Sequence, residues 1–264
     1  MDVGKIISNS FRYPFRNIAK LPILCIMFIM IAIVPIGMVL DNDYVVFIGV
    51  VAFFAFILIV PGYLLSIVKT GSMGSSIFPS FSLVNNIFDS IRMLCLRIVY
   101  MIVPTLVFFI SMTILAPASV GQLQDLQVHT FIATLGLIII LIVITYLLFE
   151  FLLFFAKARL AYFNSLTEAL KIHKVVADIR NIGILKIIKW IIVMAILMSV
   201  ISFAASLVLS IPYVGFLIYI GIIIPLIESI ANYSLGLIYS NIAENSNNDF
   251  DRLEREIKML KYEN

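Results

Sequence analysis

The sequence predicts an all-α, polytopic transmembrane bundle of six spans, with both termini on the cytoplasmic side and amphipathic helices at that surface. Three observations predict it. Of 264 residues, 62% are hydrophobic and only 12% charged, about half the charged fraction that a soluble domain uses to cover its surface. The apolar residues come in runs of about twenty, the length at which a helix rising about 1.5 Å per residue crosses a hydrocarbon core of about 30 Å. Finally, the 18 Lys and Arg residues all fall at or near one side of the topology that those runs define. The alternation that a membrane β-barrel requires is missing.

Lys5, Arg12, Arg16 and Lys20 open the chain, and among them Val3, Ile7, Phe11, Phe15 and Ile18 recur at helical spacing that Pro14 interrupts. This reads as an interfacial segment lying on the membrane. The first span follows at about 21–40 and the second at about 44–68, separated by the acidic turn Asp41-Asn42-Asp43. Lys69 to Ser76 reads as a flexible polar linker. Leu83, Val84, Ile87, Phe88 and Ile91 form one face of a short amphipathic helix before a third span at about 92–116. The fourth span occupies about 130–156, after a connection that contains Asp125 and no Lys or Arg.

The stretch from Lys157 to Lys189 is the most basic of the chain, with Lys157, Arg159, Lys171, Lys174, Arg180, Lys186 and Lys189. Ser165-Leu166-Thr167-Glu168 has the form of a capping box. It predicts a helix from Ser165 to Ile182 with an apolar stripe of Leu166, Leu170, Val175, Val176, Ile179 and Ile182, stopped at Gly183. On this reading Lys171, Lys174 and Arg180 contact the headgroups of an anionic leaflet, each contributing about 1 kcal/mol. The fifth and sixth spans lie at about 184–209 and 213–240, within a membrane domain of residues 1–243. Residues 244–264 are a polar tail in which Phe250, Leu253, Ile257 and Leu260 predict a short helix docked on the cytoplasmic face. Every Lys and Arg lies at or near one side of this topology, which places that side and both termini in the cytoplasm. Trp190, Tyr162 and Tyr239 fall near the inner boundary, where an aromatic belt would place them.

Chemistry-bearing motifs are sparse. The chain has no Gly-x-x-x-x-Gly-Lys loop and no His-Glu-x-x-His, and His129 and His173 fall on opposite sides of the membrane. Cys25 and Cys95 each sit inside an apolar run. No cofactor, metal or catalytic constellation is predicted, so the reading is non-enzymatic. The partners expected are lipids of an anionic inner leaflet; no basic face stands clear of the membrane to take nucleic acid, and a protein partner or self-association stays open. Intramembrane acids are often functional. Glu150 falls near the inner boundary, within reach of water, Lys157 or Arg159. Glu228 is about 22 Å along the sixth span, with Asn232 at i+4 and Pro225 just before it, and Arg97 is at matching depth on the third. Arg97, Glu228 and Asn232 therefore form the candidate intramembrane polar cluster, with a Glu228–Arg97 ion pair or a protonatable site in a hydrated cavity as its two forms. The first form suits a membrane-organising or lipid- and partner-binding protein; the second suits a small-solute or ion carrier.

Several short stretches carry a resemblance. Met1-Asp2-Val3-Gly4-Lys5-Ile6-Ile7, Phe11-Arg12-Tyr13-Pro14-Phe15, Pro61-Gly62-Tyr63-Leu64-Leu65, Phe78-Pro79-Ser80-Phe81, Phe88-Asp89-Ser90 and Lys157-Ala158-Arg159-Leu160-Ala161 together resemble the membrane family called domain of unknown function 4013. The resemblance extends to about Asn241 and implies an origin among archaea, methanogens included, or some bacteria. Where that family carries an acidic, Trp-bearing stretch, this chain has Ser82-Leu83-Val84-Asn85. The resemblance implies no activity, substrate or catalytic residue.

Overall fold

A computed structural model describes residues 2–122, 128–211 and 214–240 of the chain. Its helices are α1 (Val3–Arg16), α2 (Leu21–Val39), α3 (Asp43–Ser72), α4 (Leu83–Gln122), α5 (Val128–Phe163), α6 (Leu166–Ala169), α7 (Ile172–Ile182) and α8 (Ile184–Leu209). The last, α9, opens at Val214–Ile218, passes through a π-helical turn at Tyr219–Ile223 and continues to Ser240. Six of these, α2, α3, α4, α5, α8 and α9, are long and apolar enough to cross a membrane. Their outward faces carry Tyr44, Phe47, Phe54, Phe203 and Leu207, all largely exposed. So dense an apolar exterior is stable only with lipid as its solvent. The all-α six-span bundle is the fold; the tail at 244–264 lies outside the described residues.

Prolines shape these helices without ending them. Pro35 lies inside α2 and Pro61 inside α3. In α9 the π-helical turn comes immediately before Pro225, and the Ile224 N–H reaches back to the carbonyl of Tyr219. The wider turn relieves the contact that a proline ring makes with the preceding turn.

Two boundaries differ from the sequence reading. No separate amphipathic helix precedes the third span: α4 runs unbroken from Leu83, because neither Gly nor Pro occurs before Pro104 to stop it. Likewise α5 continues past residue 156 to Phe163, since Lys157-Ala158-Arg159-Leu160-Ala161 consists of strong helix formers. This extension carries Lys157 and Arg159 on a rigid spanning helix.

At the basic end of the bundle, α1 docks into the core. Ile6 and Tyr13 are buried, and the Tyr13 ring stacks between Phe78 at 4.7 Å and Tyr233 at 3.8 Å. Pro14 lies within α1 and does not interrupt it. Lys69 to Ser72, read as linker, belong to α3, and the residues after them are pinned. Asn17 Nδ2 donates to the Ser76 carbonyl at 2.8 Å, and its Oδ1 accepts from the Phe78 N–H at 3.0 Å. Lys20 Nζ donates to the Phe78 carbonyl at 3.0 Å, and the Tyr233 hydroxyl to the Ser75 carbonyl at 3.0 Å. The expected flexible linker is thus a fastened strap. Trp190 and Tyr239 also depart from the belt expected of them: both are buried, and Trp190 Nε1 donates to Ser234 Oγ at 2.6 Å, joining α8 to α9.

Crossing of α3 and α9 requires glycine. A Cβ on Gly236 would lie 2.2 Å from the Val68 carbonyl oxygen and 2.7 Å from the Ser72 nitrogen; one on Gly71 would lie 2.5 Å from the Tyr233 carbonyl oxygen. Small residues at such contacts let helix backbones approach where no hydrophobic effect drives them together. Replacing Gly236 with Ala should lower the stability of the purified protein by at least about 1–3 kcal/mol, the usual cost of overpacking. Gly136→Ala, where a Cβ meets nothing within 4 Å, should be neutral or slightly stabilising. A thermal melt in detergent reads both, and equal effects would contradict the close crossing.

Candidate functional site

Charge inside an apolar bundle must be paired and hydrogen-bonded, and the pairs formed here differ from those that depth along the helices suggests. Arg97 of α4 pairs with Glu150 of α5 at 3.0 Å, and the Tyr146 hydroxyl donates to the same carboxylate oxygen at 2.9 Å. The expected Glu228–Arg97 pair is therefore not formed, nor does Glu150 turn to Lys157 or Arg159. Depth arithmetic leaves out rotation about the helix axis, and Arg97 faces α5, which packs directly against α4. Glu228 and Asn232 do meet as their i,i+4 spacing predicts. Asn232 Nδ2 donates to the Glu228 carbonyl at 2.8 Å and to its carboxylate at 2.9 Å. On its other side Asn232 Oδ1 accepts from Lys157 Nζ at 2.5 Å. The carboxamide thus stands between an ammonium on α5 and a carboxylate on α9, and Lys157 takes the place given to Arg97.

One helical turn fraction further along α5 lies the centre of the basic end. Arg159 is buried, 5% exposed at its side chain, and its fork is filled from several sides. Nε donates to the Glu168 carbonyl at 2.9 Å, one terminal nitrogen to the Glu168 carboxylate at 3.0 Å and the other to the Asp178 carboxylate at 2.5 Å. The Phe163 ring lies 4.6 Å from its Cζ. Asp178 also accepts from the Tyr239 hydroxyl of α9 at 2.5 Å. Five donors in a fixed plane make Arg the residue suited to such a hub.

Arg159 also explains a break that the sequence did not predict. In place of one helix from Ser165 to Ile182, α6 ends at Ala169 and α7 begins at Ile172. An unbroken helix would use the carbonyls of Glu168 and Ala169 for amides four residues on. Arg159 Nε takes the first, and the Tyr100 hydroxyl of α4 takes the second at 2.9 Å. Side chains inserted into the backbone ladder are a recognised cause of breaks. Half of the capping box forms: Ser165 Oγ accepts from the Glu168 N–H. The other half fails because the Glu168 carboxylate is taken up by Arg159, by Lys171 at 2.6 Å and by Lys174 at 3.0 Å. Lys171 and Lys174 thus turn onto Glu168 rather than only outward; Arg180 is exposed.

Lys171, then Lys174 and Arg159, hold the Glu168 carboxyl well below its ordinary 4.5, down to about 2. The arrangement is a closed set of donors and acceptors that fastens α4, α5, α6, α7 and α9 together. Asp178, Tyr239 and Tyr100 escaped the sequence reading. A signal for Asp178 was present: Val175, Asp178, Ile179 and Ile182 share one helical face, and an acid on an apolar face asks for a buried cation.

A family model described as "Protein of unknown function (DUF4013)" matches residues 45–210, more than half of the chain. The match takes in α4, α6, α7 and α8, most of α3 and all of α5, so Arg159, Glu168 and Asp178 lie inside it, whereas Glu228, Asn232 and Tyr239 lie outside. No curated protein and no solved structure matches the chain.

Two outcomes are expected. Arg159→Ala should cost roughly 3–5 kcal/mol, as when other buried pairs are broken, and Arg159→Lys should recover little of it, because an ammonium cannot reproduce the fork; denaturant titration in detergent measures both. For Glu168, a depressed folded pKa means that its contribution is complete above about 4.5 and is lost as pH falls towards 2. Melting temperatures of wild type and Glu168→Gln should therefore differ at neutral pH and converge in acid. A constant gap across that window would contradict the assignment.

Proposed function

Since the chain belongs to the DUF4013 family, whose function is unknown, we propose on physical grounds that it is a non-enzymatic protein of the cytoplasmic membrane that organises lipids or partners at its basic end. The observation that carries this reading is the outer surface of α1. While Ile6 and Tyr13 are buried, Lys5, Arg12 and Arg16 are exposed. Phe15 beside them is 55% exposed, and Ile18, in the turn after the helix, 63%. Cations interleaved with exposed apolar groups suit an anionic interface, the cations for headgroups and the apolar groups for the acyl boundary. The one-sided distribution of Lys and Arg supports an orientation with this end and both termini in the cytoplasm.

A carrier is the second reading, favoured by one feature: the π-helical turn at Tyr219–Ile223, followed by Pro225, lies close to Glu228 on α9. Such turns recur at functional sites, and intramembrane acids are common in ion pathways. Against it stands the hydrogen bonding of Glu228 to Asn232 and of Asn232 to Lys157, which suits a fixed bridge between α5 and α9.

Nanodiscs separate these readings. Protein in anionic phospholipid should melt at a higher temperature than in zwitterionic phospholipid, and the triple substitution of Lys5, Arg12 and Arg16 by Gln should remove most of that gain. No dependence on lipid charge would count against the lipid-organising role. In a background lacking Cys25 and Cys95, a cysteine at Asp43 should react with an impermeant thiol reagent in intact cells, and one at Ser76 should not; the reverse pattern would invert the orientation. Glu228→Gln should leave the stabilisation by anionic lipid unchanged, whereas loss of a pH-dependent ion flux in that variant would establish the carrier instead.

A further inference from the structure

A cleft of about 640 Å³ opens at the basic end between the last turns of α3, the fastened strap and the first turns of α4. Its wall includes Lys69 and Thr70 of α3, Ser82 of the strap, and Asn86, Phe88 and Arg92 of α4. Three features give it a chemical preference. The Lys69 ammonium makes no ion pair among the described residues, while Arg92 is held by Asp89 at 3.1 Å and by Asn164 at 3.1 Å. Asp89 offsets Arg92, so the charge of Lys69 is left to the cleft. The first turn of α4 also forms part of the wall, and the opening amides of a helix have no partner within it.

The third feature is independent of both. Asn86 is 2% exposed, and its Nδ2 is a buried donor with no hydrogen-bond partner. An orphaned buried donor is costly, and Asn86 cannot retreat from its position. Its carbonyl is pressed against Gly62, where a Cβ would come within 1.9 Å, and the Gly62 N–H is fastened to Ser90 Oγ at 2.7 Å. A cation, a buried amide donor and a helix N-terminus in one wall call for an acceptor with several oxygens and negative charge. Phe88, 61% exposed, and the neighbouring exposed Leu83 and Val84 supply an apolar shoulder beside it.

We propose that this cleft binds a phosphate group, carried by an anionic phospholipid or by a soluble phosphate ester. The proposal does not rest on the α1 surface, whose residues line no part of the cleft. Full-length protein released from phosphatidylcholine nanodiscs containing a minor fraction of phosphatidylglycerol is examined by native mass spectrometry; in a second arm, glycerol phosphate is titrated calorimetrically into the detergent-solubilised protein. Variants are Lys69→Gln, which removes the charge, and Asn86→Asp, which replaces the donor by a carboxylate, with the exposed Lys189→Gln as a charge-matched control outside the cleft. Melting curves confirm that each variant is folded, and Lys69→Gln, at a half-buried position, serves if Asn86→Asp is not. Phosphatidylglycerol retention that falls about tenfold in the cleft variants and not in the control supports a lipid headgroup site. The same variant dependence for glycerol phosphate alone supports the phosphate site with a soluble ligand. Binding of neither by wild type, or equal binding by wild type and the cleft variants, or an equal loss in Lys189→Gln, overturns the proposal.

Discussion

A guanidinium cannot shed its proton, so burying Arg159 obliges the surrounding chain to supply acceptors. That obligation shapes the basic end. Glu168 contributes both its backbone carbonyl and its carboxylate, Asp178 contributes a second carboxylate, and Asp178 in turn takes the hydroxyl of Tyr239. With Tyr100 on the next carbonyl, the segment after α5 has to break, and α7 is laid with Val175, Ile179 and Ile182 buried. Buried ion pairs contribute modestly to stability when compared with apolar replacements, but they are demanding about geometry. Here one charge on α5 sets the path of the connection between the fourth and fifth spans.

The opposite side of the same end is held by contact rather than charge. Gly71 and Gly236 let α3 and α9 approach closely, which places Tyr233 where its ring stacks on Tyr13 and its hydroxyl reaches the strap at Ser75. Burial, followed by the neighbouring phenols Tyr63 and Tyr233, pushes the Tyr13 hydroxyl far above its ordinary range. It stays neutral at any physiological pH, and α1 remains docked through an uncharged, stacked ring. Helix crossing, strap and α1 thus depend on one another, and α3 and the strap so held form two walls of the cleft that α4 completes.

The spans were legible because lipid imposes a length and a composition that no soluble helix shares; Leu21–Val39 and Ile184–Leu209 lie where the apolar runs put them. Glu228 and Asn232 were legible as a pair because i,i+4 spacing is a local property. Partners on different helices were not. Residue counting sets Arg97 and Glu228 at one depth, yet rotation about each axis sends Arg97 to Glu150 and leaves Glu228 to Asn232. The capping box at Ser165 marked a true helix start but not its early end, which depends on Arg159 and Tyr100 arriving from other spans. Asp178 carried a local clue, an acid on the buried face of α7, whose meaning depended on a cation nineteen residues earlier.

Hydrogen exchange on Arg159→Gln in nanodiscs tests the central claim most directly. If Arg159 holds the basic end together, amides of α7 and of the last turns of α9 around Tyr239 should lose protection together, while those of α2 and of the first half of α3 keep theirs. Unchanged protection in α7 and around Tyr239 would contradict the account, since it would mean that apolar packing alone fixes that connection.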